Sequence, residues 1–250
     1  MEVLDRNLYS MKYQIYNKGN MEHLINKMGF LPFFNNEIDD FSIAEFTPKE
    51  LWFSDETDGP WEWKGPVIIE GDVAYGKFYK KKAMYVSMDW FPDFMNYRRS
   101  LYKITSDEEK ILDTLRKHKT LLSKELKRAC GYVKPRLHRS LTPIERLVEE
   151  ETKNVIKKEK ICSTKESFDG AITRLQMGTY IITADFEYSY DREGNRYGWG
   201  VARYCTPEDF FGPERLIVKR TPLQSKLRMI EHLHKLLPYA SDEAILSVIG

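Results

Sequence analysis

The sequence predicts an α+β protein. Three observations carry that expectation: aromatic and β-branched segments between positions 61 and 88, capped amphipathic helices from position 105 onward, and a pair of strand-like segments between positions 179 and 204. On the same grounds the chain divides into three regions. Residues 1–99 hold a Trp-rich antiparallel β-meander, residues 100–212 a helical unit closed by a β-hairpin, and residues 213–250 a C-terminal helical hairpin.

Leu24, Ile25 and Met28 share a helix face that Gly29 stops, and Phe30-Leu-Pro-Phe-Phe34 breaks the pattern. Ser42-Ile-Ala-Glu45 and Thr47-Pro-Lys-Glu50 place a cap hydroxyl three residues before a glutamate, so each starts a short helical turn. Val67–Glu70, Val73–Tyr79 and Ala83–Met88 read as three antiparallel strands separated by Gly71-Asp72 and Lys80-Lys-Lys82. Gly76 inside the second marks a bulge or a close backbone approach.

Ser106-Asp-Glu-Glu109 caps a helix carrying Ile111, Leu112 and Leu115. After a short loop Ser123 caps a second, with Leu126, Ala129 and Cys130 on one face and Gly131 beyond its end. Thr142-Pro-Ile-Glu145 opens a helix inserted within residues 134–161, and Ser163-Thr-Lys-Glu166 opens another with Phe168, Ile172 and Leu175 on one stripe. The pattern then turns extended: Thr179–Tyr190 pairs with Tyr197–Tyr204 across a polar tip. Pro222 starts a helix carrying Leu223, Leu227, Ile230 and Leu233, and Ser241 caps the last one.

Composition narrows the function. A hydrophobic content of 42% supports a core, while 31% charged residues, a mean hydropathy of −0.54 and no long apolar run predict a soluble, cytoplasmic chain with no signal peptide and no membrane partner. Cys130, Cys162 and Cys205 match neither a disulfide framework nor a metal knuckle, and the histidines lack ligand spacing. Without a glycine-rich phosphate loop, no cofactor is expected. The net charge of +1 conceals an asymmetry. Residues 98–165 carry nineteen Lys or Arg against ten Asp or Glu, which is +9, and the rest of the chain totals −8. Such a basic middle fits either a polyanion partner or a solvated helical surface.

Helix, helix, inserted helix, helix and hairpin is the element order of a winged helix, whose third core helix enters the major groove of DNA while the hairpin follows the backbone. Double-stranded DNA is therefore the expected partner. Its candidate contacts are Lys165, Thr173 and Arg174 on the helix before the hairpin, Arg192 and Arg196 at the hairpin tip, and Arg98 and Arg99 ahead of the unit. Trp61, Trp63 and Tyr75, with Lys64 and Lys77 beside them for a phosphate contact, are candidate stacking partners for an unstacked base; packing into a small core is the other reading of the tryptophans. A protein-interaction module is the rival class, with Pro222–Leu237 and Asp242–Ile249 as a homodimer surface.

Phe41-Ser-Ile-Ala-Glu45, Gly59-Pro-Trp-Glu-Trp-Lys-Gly65, Ala74-Tyr-Gly-Lys-Phe78, Asn96-Tyr-Arg-Arg99, Leu175-Gln-Met177, Asp185-Phe-Glu-Tyr188 and Tyr197-Gly-Trp-Gly200 together resemble the pattern of AlkZ-related bacterial proteins. That group is a distant branch of the winged-helix DNA glycosylases, which excise alkylated bases and unhook interstrand crosslinks. The likeness covers most of residues 30–212. It implies a tandem winged-helix fold and an association with DNA repair. The better-known enzymes carry a Gln-hydrophobic-Gln or Gln-hydrophobic-Asp motif whose polar side chains position the attacking water. Here the corresponding run is Gln176-Met177-Gly178, and its third position has no side chain.

The reaction so implied is hydrolysis of an N-glycosidic bond, with Gln176 orienting water. Asp185 and Glu187 share a strand face by the period of two and are the candidate helpers; the solvent face of a half-buried hairpin is the plainer reading. A non-catalytic DNA-binding regulator built on the same scaffold is the alternative.

Overall fold

The computed structural model describes residues 14–54, 56–133, 167–194 and 196–250. Among them the fold is mixed α+β, with two antiparallel sheets of three strands each. The helix expected within residues 134–161 and the cap expected at Ser163 lie outside the described residues.

In the first half, α1 (Lys18–Met28) is capped by the Asn17 side chain and ends at Gly29, whose φ of 79° suits a residue without Cβ. β1 (Phe30–Pro32) follows, then α2 (Ile43–Phe46), where Ser42 Oγ accepts the Glu45 N–H as expected, while the Glu45 carboxylate accepts the Ser42 hydroxyl and the N–H groups of Asp40 and Phe41 instead of the Ser42 N–H. The expected meander is corrected at Val67–Glu70, which form the second half of a helix, α3 (Pro60–Glu70), instead of a strand. The helix start overrides the β-branched run: Glu62 accepts the Gly59 N–H at 2.9 Å, and Pro60 presets φ at the first helical position. Burial of Trp63, Val67 and Ile68 then fixes it against the core.

The third strand is β1, giving the sheet order β1-β3-β2 with β2 (Val73–Tyr79) and β3 (Lys82–Ser87). The pairing shifts register between Gly76 and Tyr79. Tyr79 pairs with Lys82, so Lys80 and Lys81 form a two-residue turn, at φ 47° and 63°.

In the second half, α4 (Phe91–Leu101) leads to α5 (Ser106–His118). The capping box of α5 lies one residue earlier than expected, between Thr105 and Glu108. The expected loop after α5 holds a short strand, β4 (Thr120–Leu122), and Leu122 rather than Ser123 stands at the N-cap of α6 (Ser123–Ala129). α7 (Phe168–Met177) is capped by Ser167 and runs into the hairpin of β5 (Ile182–Tyr190) and β6 (Arg196–Cys205). The second sheet has the order β4-β6-β5.

Two apolar cores result. Ile111, Leu112, Leu115, Leu126, Phe168, Ile172 and Leu175 build the smaller one beneath α5, α6 and α7. The larger one gathers the first sheet, α1, α3 and α4 with Ile182, Cys205 and the C-terminal helices. After α8 (Pro207–Phe211), α9 (Pro222–Leu236) packs along α4, and α10 (Asp242–Ile249) packs on β2. Met229, Leu233, Ile245, Val248 and Ile249 are buried in that core, while Leu223 and Leu227 stay exposed. Asp93 on α4 anchors α9 through Arg220 (2.6 Å), Ser225 (2.7 Å) and Arg228. No helix of the described residues is long and apolar enough to cross a membrane.

Candidate nucleic-acid interface

The two sheets meet where β2 approaches β5 and α7, and a cavity of about 300 Å³ opens between them. Tyr75, Gln176, Thr183, Phe186 and Tyr204 line it, with Lys77, Lys81 and Lys82 also on its wall. Tyr75 stands edge-on to Phe186 at 5.8 Å between ring centroids, an apolar wall with a quadrupolar edge. Gln176, only 1% exposed, accepts the Lys77 peptide N–H on Oε1 at 3.0 Å and donates from Nε2 to the Ile172 carbonyl at 3.4 Å. Gly76 permits this approach, because a Cβ there would stand 2.7 Å from the Phe78 ring and 3.3 Å from Gln176 Oε1.

The other expected site residues are dispersed. A register shift between Thr183 and Asp185 breaks the alternation, so Thr183 and Phe186 both line the cavity while Asp185 and Glu187 do not. Asp185 caps the Phe186 N–H at 2.7 Å and abuts Gly65 of α3; Glu187 is exposed and ion-paired with Arg203. Among the described residues no carboxylate lines the cavity. Trp63 is buried in the larger core, and Trp61 packs on Trp52 and Phe33 at 5.8 and 5.4 Å, so only Tyr75 of the three aromatic candidates reaches the cavity.

The expected cations likewise separate. Arg98 is fully buried, donating to the carbonyls of Phe78, Met177, Val248 and Ile249 beside the Phe94 ring. Arg99 bridges Glu208 and the Thr179 carbonyl. Arg174 forks onto Glu108 at 2.7 and 2.9 Å and reaches the Lys103 carbonyl. Burial would raise the Glu108 carboxyl, but Arg174 and Thr105 outweigh it and hold it below the usual carboxylate range. Thr173 is half-buried, donates to the Asp169 carbonyl and accepts from Lys77 Nζ at 3.3 Å. Arg192 is exposed at the hairpin tip; Lys165 and the Arg196 side chain lie outside the described residues.

The family model for AlkZ-related proteins matches residues 15–250, an interval that contains both sheets, both cores and the cavity between them. The chain belongs to the AlkZ-related family. No curated protein and no solved structure matches it.

In this AlkZ-related chain several residues that sequence reasoning passed over sit at the site. Lys81 and Lys82 were legible only as strand punctuation, and Phe186 and Tyr204 only as alternating strand residues; Lys77, expected with Lys64 as a phosphate contact beside the aromatic candidates, does line the cavity. Lys64, on α3, is buried with its Nζ 4.0 Å from the Phe186 ring centroid and 4.9 Å from that of Trp61, and so joins α3 to the hairpin. Among the described residues no group of three His, Cys, Asp or Glu is placed to hold a metal ion.

Proposed function

We propose that this protein is a winged-helix DNA-binding protein of DNA repair, which receives an unstacked base in the cavity between its sheets. The observation that carries this reading is the unit around the smaller core: α5, β4, α6, α7, β5 and β6 in chain order, with β4 pairing to the hairpin. In a winged helix α7 is the groove-reading helix and the hairpin tip, with Arg192, meets the backbone. Membership of the AlkZ-related family supports the repair association. The cavity adds aromatic walls of the kind on which unstacked bases rest, at the end of the same helix. Titration of the purified protein with duplex DNA should give binding that weakens steeply with added salt. No affinity at about 50 mM salt, where phosphate contacts are strong, sinks the proposal.

Hydrolysis of an N-glycosidic bond is a second reading, favoured by the position of Gln176 in the cavity wall. The surroundings of Gln176 favour recognition without hydrolysis. Its amide oxygen is engaged by Lys77, and a Cβ at Gly178 would stand 2.9 Å from Tyr180 and 3.0 Å from Tyr102, leaving no room for the second polar side chain of the motif. Alkylated or crosslinked duplex incubated with the protein is expected to stay free of abasic sites. Their appearance, and their loss in Gln176→Ala, would establish the hydrolase instead.

A further inference from the structure

We propose that Lys77, Lys81 and Lys82 form a phosphate-binding element on the first sheet, which holds a DNA strand at the mouth of the cavity. The inference rests on the DNA-binding reading and adds to it a contact surface outside the winged-helix unit.

Three observations converge on it. First, the lysines are exposed, all line the cavity, and none is paired with a carboxylate among the described residues. A local concentration of unneutralised cations in a chain of net charge +1 is a polyanion footprint. Second, the turn is held in a backbone conformation that lysine does not favour. Lys80 and Lys81 both have positive φ, where two-residue hairpins ordinarily carry Asn or Gly. Strain kept at such a position points to a demand on the side chains. Third, the lysines divide the work. Lys80 folds back onto Glu37, drawing that carboxyl down to about 2, and so pins the turn; Lys81 and Lys82 are left to the cavity rim. Lys77 meets Thr173 of α7, so the cationic edge continues onto the expected groove-reading helix.

A DNA backbone fits this edge. Its phosphates would lie along the lysines while the aromatic wall of Tyr75 and Phe186 offers a face to one base, the usual pairing of charge and stacking in grooves that track a strand. The rival cations of the middle region, Arg98, Arg99 and Arg174, are already committed to protein carbonyls and carboxylates.

The test compares duplex binding over a salt series for the wild type, for the double variant Lys81→Glu/Lys82→Glu, for Lys81→Gly, and for Lys226→Glu/Lys235→Glu on α9 as a matched charge control. The first variant should bind at least about tenfold more weakly and lose about two units from the slope of log affinity against log salt, one per phosphate contact. The second relieves the positive φ at Lys81 and keeps the Lys80–Glu37 pair, so it should melt at a higher temperature yet bind more weakly. The control should keep the wild-type slope. Equal weakening in the control, or wild-type affinity and slope in both turn variants, overturns the proposal while leaving DNA binding intact. Absence of duplex binding by the wild type overturns the DNA reading and this inference together.

Discussion

Arg98 carries its positive charge in the core, and among the described residues no Asp or Glu side chain is paired with it. Carbonyl oxygens of Phe78, Met177, Val248 and Ile249 take its hydrogens, and burial pulls its pKa down to about 10, which leaves it protonated at neutral pH. Truncation would leave those carbonyls without their donor and open a hole the size of the side chain. Arg98→Ala is expected to cost about 3 kcal/mol or more, read as a lowered urea midpoint at unchanged slope. An unchanged midpoint would contradict the structural role given to Arg98. In the sequence Arg98 and Arg174 were legible as charge and nothing more, because their partners lie far along the chain: Glu108 is 66 residues from Arg174, and Ile249 is 151 from Arg98. Charge can be counted from a sequence; neutralisation is a tertiary property.

Among the elements, α3 shows how a short start signal outweighs a longer propensity signal. Val67-Ile-Ile69 favours a strand, yet Gly59-Pro60 with Glu62 three residues after Gly59 sets a helix that runs to Glu70. Gly59 is required there by contact, since a Cβ would lie 1.7 Å from the Leu51 carbonyl oxygen. Gly59→Ala should therefore destabilise the protein by about 2 kcal/mol or more, and faster amide exchange should be concentrated in α3. Wild-type exchange in α3 would contradict that view of the helix start. The hairpin of β5 and β6 was legible from its alternation and Gly-bearing tip, as were α9 and α10 from Thr221-Pro222 and Ser241. The register shift near Asp185 was not, since a bulge leaves no signature in apolar periodicity. That one-residue shift separates Asp185 and Glu187 from Gln176 at the cavity.

Across the whole molecule, buried carboxylates paired with arginines and a half-buried histidine make stability depend on pH in two stages. Burial alone would raise the Asp93 carboxyl, but Arg220, Ser225 and Arg228 outweigh it, so in the folded protein it lies below its ordinary value, as does Glu108. For both, the unfolded chain takes up the proton first. Their contribution is complete above about pH 4–5 and is lost as pH falls through the folded values. His232, stacked on Trp90 at 4.0 Å and bonded to the Met28 carbonyl, is held below its ordinary pKa chiefly by burial. The unfolded histidine therefore protonates first, and stability starts to fall below about pH 6.5. Thermal melts should show a shallow loss from about pH 6.5 and a steeper one below about pH 4, with His232→Gln removing the first alone. Superposable profiles for variant and wild type between those limits would rule out His232 as the source.

The two cores also differ in how the chain contributes to them. The smaller draws on residues from Ile111 to Tyr204, whereas the larger begins with Ile15 and is closed by Ile249. Because synthesis runs from the N-terminus, every described residue of the smaller core is made before α9 and α10 of the larger one. The unit encoded in the middle can thus complete its packing first, and the nascent first sheet must wait, partly uncovered, for α9 and α10. The cavity between the sheets consequently takes its final form late in the life of the nascent chain.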